Sequence, residues 1–137
     1  MPRLVIERVR EPAVAVNFVG MHSSIVIEGL RIFARHGVLE QERRVGNEFE
    51  LDIRLDFDAS RAMDSDDVNH TVNYARVIDI VNSAMANPAN LLEHAAANIR
   101  NEILNEFPQI TSGKIALYKI HPPLSAQLAR TGFILNW

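Results

Sequence analysis

The chain has 137 residues, 47% of them hydrophobic and 23% charged, and its formal net charge is −3 at pH 7. That balance excludes the basic footprint of a nucleic-acid binder. The absence of cysteine excludes disulfides, thiolate metal sites and cysteine nucleophiles. The length suits one domain whose core needs no covalent staples. No apolar run approaches the roughly 20 residues of a membrane span, and the composition fits a cytoplasmic protein without membrane or nucleic-acid partners.

Residues 1–22 read as an N-terminal extension, and residues 23–137 as the functional domain. Within the extension, Leu4-Val5-Ile6 and Val14–Val19 are candidate short strands, and Met21 is a candidate late start. The interrupting charges Arg3, Glu7, Arg8 and Arg10 argue against a signal peptide.

Ser24–Ala34 is rich in β-branched residues and predicts a strand. Its apolar parity changes from Ile25 and Ile27 to Leu30 and Ile32 across Gly29, which predicts a β-bulge there. Residues 35–46 follow as a loop far longer than an ordinary hairpin connection, and contain His36, Gly37 and Glu42. Long loops in compact domains often carry function, so this segment is the first place to look for a site. Phe49, Leu51, Ile53, Leu55 and Phe57 then alternate with charged residues, the mark of a half-buried antiparallel strand.

A polar stretch, Ser60–Thr71, leads into a helix predicted over Asn73–Met85 with Thr71 as its N-cap. Asn87-Pro88 breaks that helix. A second helix is predicted from about Leu91 to Phe107, capped by Asn90 and stopped by Pro108; Leu92, Ala96, Ile99, Ile103 and Phe107 form its apolar stripe. Strands over Lys114–Ile120 and Thr131–Trp137 complete the order β-β-α-α-β-β. This is an α+β layer, a four-stranded antiparallel sheet with two helices on one face.

Four polar residues stand out, each with a bland alternative. Glu93 follows Asn90 at the spacing of a capping box. Lys119 continues the face of Ile115 and Leu117, either as a strand-end side chain snorkelling to water or as a placed amine. Tyr74 opens a helix, where a packed tyrosine is ordinary, and Glu42 lies in a loop, where most glutamates are solvated. The five histidines show no metal-ligand pairing, and Glu93-His94 do not share a helix face. No metal or cofactor site is predicted, and no phosphate-cradling glycine loop is present.

The segments IVIEGLRIFARHGVLEQER (25–43), GNEFELDIRLDFD (46–58), A-x-x-SDD-V-x-x-TVNYARV (62–77), NLLEHAAANI (90–99) and K-x-x-PP (119–123) stand in a fixed order. Together they resemble the dihydroneopterin aldolase family, lyases of folate biosynthesis with the tunnelling fold. The resemblance covers nearly all of the chain outside the N-terminal extension.

The resemblance implies roles. Glu93 would anchor the amino-pyrimidine edge of a pterin, aided by the backbone at Leu92. Tyr74 would stack on the pterin and shuttle a proton from a neighbouring subunit, with Leu39, Val72 and Asn73 lining the pocket. Glu42 would orient the trihydroxypropyl chain, and Lys119 would be the acid–base group, needing a pKa moved toward neutral. Many relatives have Lys-Pro at this strand end, whereas this chain has Lys119-Ile120-His121, which adds a titratable group. The implied reaction is retro-aldol cleavage of 7,8-dihydroneopterin, with C2′ epimerisation as a companion activity. The implied assembly is a homo-oligomer, tetramer or octamer, with sites between subunits. Two other readings stand beside it: an epimerase of the triphosphate form, and a non-catalytic pterin-binding module.

Overall fold

The structure, a computed structural model, describes residues 21–137. The two candidate strands of the N-terminal extension lie outside the described residues. Four strands form one antiparallel sheet in chain order: β1 (Ser23–Ala34), β2 (Asn47–Phe57), β3 (Ser112–Lys119) and β4 (Thr131–Asn136). Two long helices, α3 (Tyr74–Met85) and α4 (Leu92–Glu106), pack on one face. Two short helices, α1 (Glu40–Val45) and α2 (Ser60–Ser65), and a 3₁₀ turn at Val68–His70 complete the fold.

The expected α+β architecture is present, and its detailed order differs by these three short elements. Their physical reason is common to them. Neither six-residue helix has a buried residue, so neither has an apolar stripe to read. Segments this short do not hold a helix by themselves; local bonds hold them here. In α1, for example, the Gly46 N–H donates to the Glu42 carbonyl at 2.9 Å.

The period-two strand behaves as its pattern dictates. Phe49, Leu51, Ile53, Leu55 and Phe57 are buried against Val77, Val81, Ala96, Ile99 and Ile103 of the helices. Burying each such side chain contributes about 1.5–3 kcal/mol. The predicted bulge is present: Ile27 pairs with Ile53 and Leu30 with Leu51, so β1 spends one more residue than β2 between these pairs. Gly29 takes φ +67°, a left-handed conformation that glycine adopts without steric cost.

Both predicted helix caps need correction. Asn73, not Thr71, caps α3, because its Oδ1 accepts the Ala75 N–H at 3.0 Å; Thr71 instead closes the 3₁₀ turn. Leu91, not Asn90, occupies the N-cap position of α4 and makes no side-chain cap bond. The Asn90 side chain is turned elsewhere and accepts from Arg43 Nη1 at 3.4 Å. Glu93 therefore lies in the first turn of α4 but not in a capping box. Among the described residues, no helix is long and apolar enough to cross a membrane.

Candidate active site

Lys119 ends β3 on the face that carries Ile115 and Leu117. The register places it beside Phe49 on β2 and Thr131 on β4. The pairing continues past it: the Ile120 N–H donates to the Glu48 carbonyl at 3.1 Å, and Asn47 Nδ2 donates to the His121 carbonyl at 2.7 Å. Lys119 is thus fixed on a strand end, with its side chain only 13% exposed.

The partner of that ammonium comes from the long loop. Lys119 Nζ donates to Glu42 Oε2 at 2.5 Å, and the Glu42 side chain is 11% exposed. Glu42 Oε1 accepts the Leu39 N–H at 3.3 Å. Burial pushes the Glu42 carboxyl up. The hydrogen bond and charge of Lys119, with the Leu39 N–H and the Arg43 charge, outweigh it and hold the group below its ordinary value. Glu42 is therefore a carboxylate at neutral pH, not the solvated loop glutamate of the bland alternative. Lys119, likewise, does not snorkel to water.

Beside this pair opens a cleft of about 310 Å³ lined by Leu39, Glu42, Leu92, Lys119, Pro122, Pro123, Leu124, Thr131 and Gly132. Four of the sequence-predicted site residues, Leu39, Glu42, Leu92 and Lys119, meet there. The other four do not line it. Val72 is fully buried, and Asn73 caps α3. Tyr74 is 61% exposed at the start of α3. Glu93, next to Leu92, is exposed and makes no hydrogen bond or ion pair among the described residues. His121 faces a separate cleft with Arg31, Phe33 and Asn47.

Three further residues support the site, of which the sequence marked only His36, by its place in the long loop. Arg43 Nη1 donates to the carbonyls of Gly37 at 2.9 Å and Val38 at 2.7 Å, which ties down the loop before α1. Asn47 clamps the strand end after Lys119 from both sides, since its Oδ1 also accepts the His121 N–H at 3.3 Å. His36 is 1% exposed, and a lone histidine in a loop carries no sequence signal of burial. Among the described residues, no three His, Asp or Glu side chains group as a metal site.

A pocket joining a paired ammonium and carboxylate, apolar walls and an open helix N-terminus can hold a small polar ring and move a proton at its substituent. Comparison with known proteins gives the same direction. The family model described as dihydroneopterin aldolase matches residues 25–135. A dihydroneopterin aldolase of Staphylococcus epidermidis is 37% identical over 105 residues, covering 76% of this chain and 87% of the relative. One of Streptococcus pyogenes is 34% identical over 113 residues, covering 82% and 95%. The crystal structure of E. coli dihydroneopterin aldolase in complex with neopterin superposes with a TM-score of 0.76 at 27% identity, over 84% of this chain and 98% of that one. The match spans both strand pairs and both long helices, and with it the loop and strand end that build the cleft: the chain belongs to the dihydroneopterin aldolase family.

Proposed function

We propose that the cleft cleaves 7,8-dihydroneopterin by a retro-aldol reaction, giving 6-hydroxymethyl-7,8-dihydropterin and glycolaldehyde. The observation that carries this reading is the Glu42–Lys119 pair, mostly buried, in the wall of a cleft bounded by the N-terminal turn of α4. Glu93, exposed beside Leu92 and without a hydrogen bond or ion pair among the described residues, can accept two parallel N–H bonds from an amino-pyrimidine edge. With the ring at Glu93, its side chain extends toward Glu42 and Lys119.

Cleavage removes the proton of the 2′-hydroxyl while the C1′–C2′ bond breaks. The bonding pair moves through C6 to N5, and C2′ leaves as the aldehyde carbon of glycolaldehyde. Protonation at C1′ then restores the ring imine, so the net change is transfer of one proton from oxygen to carbon. Lys119, directly or through a water, is the acid–base group. Glu42 orients the hydroxyls of the chain and keeps the ammonium within reach. Re-addition of the aldehyde before release yields the C2′ epimer.

The working site lies between subunits of a homo-oligomer. Tyr74 is too exposed to be a core tyrosine and does not line the cleft of its own chain. It suits the pocket of a neighbour, stacked on the ring, with Val72 and Asn73 holding its helix start. The edge strands β1 and β4 carry the exposed Phe33 and Ile134. An edge left open in this way invites pairing with another copy, and a closed ring of such sheets is the tunnelling fold.

The test is mass spectrometry of 7,8-dihydroneopterin incubated with the pure protein. Glycolaldehyde and the hydroxymethyl product are expected. A stereoisomer of the substrate with little cleavage, or preference for the triphosphate, would make the chain an epimerase instead. Tight pterin binding with no product would make it a binding module.

A further inference from the structure

His36 and Gly37 sit between β1 and α1, and both are buried. Each makes one hydrogen bond to the same distant residue. The Ala89 N–H donates to His36 Nδ1 at 3.0 Å, and the Gly37 N–H donates to the Ala89 carbonyl at 2.9 Å. Ala89 belongs to the short connection that ends at Leu92, the first residue of α4. The two bonds therefore clasp the loop before α1 to the loop before α4.

The other side of the clasp meets the ion pair. A Cβ built on Gly37 would lie 2.5 Å from Glu42 Cβ and Cδ and 2.7 Å from its Oε1, so the Glu42 side chain rests directly on the glycine. The imidazole of His36 packs edge-on against Phe49, with ring centroids 5.3 Å apart. Phe49 is the register partner of Lys119. Arg43 reinforces the joint by bonding both the Gly37 carbonyl and Asn90 Oδ1.

The ring is a poor choice for a merely structural filler. Its Nε2 is buried and has no hydrogen-bond partner among the described residues, which is costly for a core polar atom. Because Nδ1 accepts a bond, the neutral ring carries its proton on Nε2. Burial first, and the charge of Lys119 second, lower the pKa of His36, so Nδ1 remains an acceptor at neutral pH.

We propose that His36 is a positioning residue: with Gly37 it fixes the pterin-edge end of the site, at the start of α4, at a set distance and angle from the Glu42–Lys119 pair. The proposal rests on the aldolase reading of the cleft. It concerns the span between the two ends and not the strength of either, so it predicts a selective loss. A ligand that touches one end is indifferent to the clasp, and a ligand that bridges both is not.

The experiment compares pterin, which has only the ring, with neopterin, which adds the trihydroxypropyl chain, on the wild type, His36→Leu and His36→Asn. Leucine removes the acceptor. Asparagine returns an oxygen at the γ-branch, where Nδ1 stood. His36→Leu is expected to weaken neopterin binding about tenfold, the scale of one lost hydrogen bond, with pterin binding changed less than about twofold. The kcat for 7,8-dihydroneopterin falls in parallel, and His36→Asn recovers most of both. Equal losses for the two ligands, or none for neopterin, overturn the proposal. Amide exchange at Ala89 gives a ligand-free readout. Its protection drops in His36→Leu and is retained in His36→Asn, and unchanged protection in His36→Leu overturns the clasp itself. A wild type that binds neither ligand overturns the aldolase reading, while the Ala89 readout still judges the clasp.

Discussion

Strand β2 and the loop that precedes it are neighbours in sequence and opposites in construction. In β2 the alternate apolar residues are buried, and the packing of that face, with ladder pairing on both sides, holds the strand between β1 and β3. In residues 35–46 the helix α1 buries no apolar residue. That segment is held by individual bonds: Arg43 to two carbonyls, Arg35 to the Arg44 carbonyl, the Gly46 N–H to the Glu42 carbonyl, and the His36–Gly37 clasp to Ala89. The strand supplies a rigid frame, and the loop supplies the carboxylate that meets Lys119. Non-directional packing tolerates no change of volume but needs no particular polar group. A bonded loop places a polar group accurately but depends on single atoms. Substitutions in the two regions should therefore separate stability from activity.

The largest effect on activity is expected from Lys119→Ala. Loss of an acid–base group lowers kcat by about 10²–10⁴-fold. The change also leaves the mostly buried Glu42 carboxylate without its ammonium, so the melting temperature falls as well, and kcat is read well below that midpoint; a variant retaining a tenth or more of wild-type kcat would remove Lys119 from the chemistry. In the frame, Leu51→Ala leaves a cavity at a fully buried position and is expected to cost about 2–5 kcal/mol in denaturant unfolding. Its kcat well below the midpoint should stay near wild type, and a large catalytic loss there would show that frame and site are not separable. Asn73→Ala deletes the N-cap of α3 and is expected to cost about 1 kcal/mol. If Tyr74 serves a neighbour's pocket, the same change also raises KM, because it loosens the helix start that presents the tyrosine.

The smallest effect is pH linkage. Glu42 and Asp56 both have folded pKa values below their ordinary ones. For Asp56 the Ser24 hydroxyl is the leading cause; burial opposes it, and Ser112 and Arg54 add to the lowering. A depressed folded pKa means that the unfolded chain takes up the proton first. The stabilisation is complete above the unfolded values and is lost as pH falls through the lowered folded ones. Glu42→Gln should flatten part of the acid limb of stability against pH, measured by denaturant titration between neutral and acid pH. An unchanged limb would mean that the Lys119 contact does not persist in solution.

The sheet was legible because alternation over Phe49–Phe57 and the parity change at Gly29 are local consequences of strand geometry. The two long helices were legible from their stripes. The caps were misplaced because Asn73 and Thr71, like Asn90 and Leu91, differ by one or two positions, while the choice rests on a single hydrogen bond. The Asn90 side chain was claimed by Arg43, 47 residues away in sequence. The ion pair joins residues 77 apart, and spacing cannot express that. The motif pattern named Glu42 and Lys119 without giving their contact.

Local pattern along the chain therefore sets the frame and identifies the family. Periodicity fixes which face of each strand and helix is buried, and the ordered motifs mark the candidate site residues. The tertiary structure decided what those residues face. It made Glu42 and Lys119 one buried pair, left Glu93 and Tyr74 exposed, and turned His36 from an unremarkable loop histidine into a link between two loops. The reason is physical: burial follows from local periodicity, whereas a hydrogen bond or ion pair between distant segments exists only once packing has brought their atoms within about 3 Å.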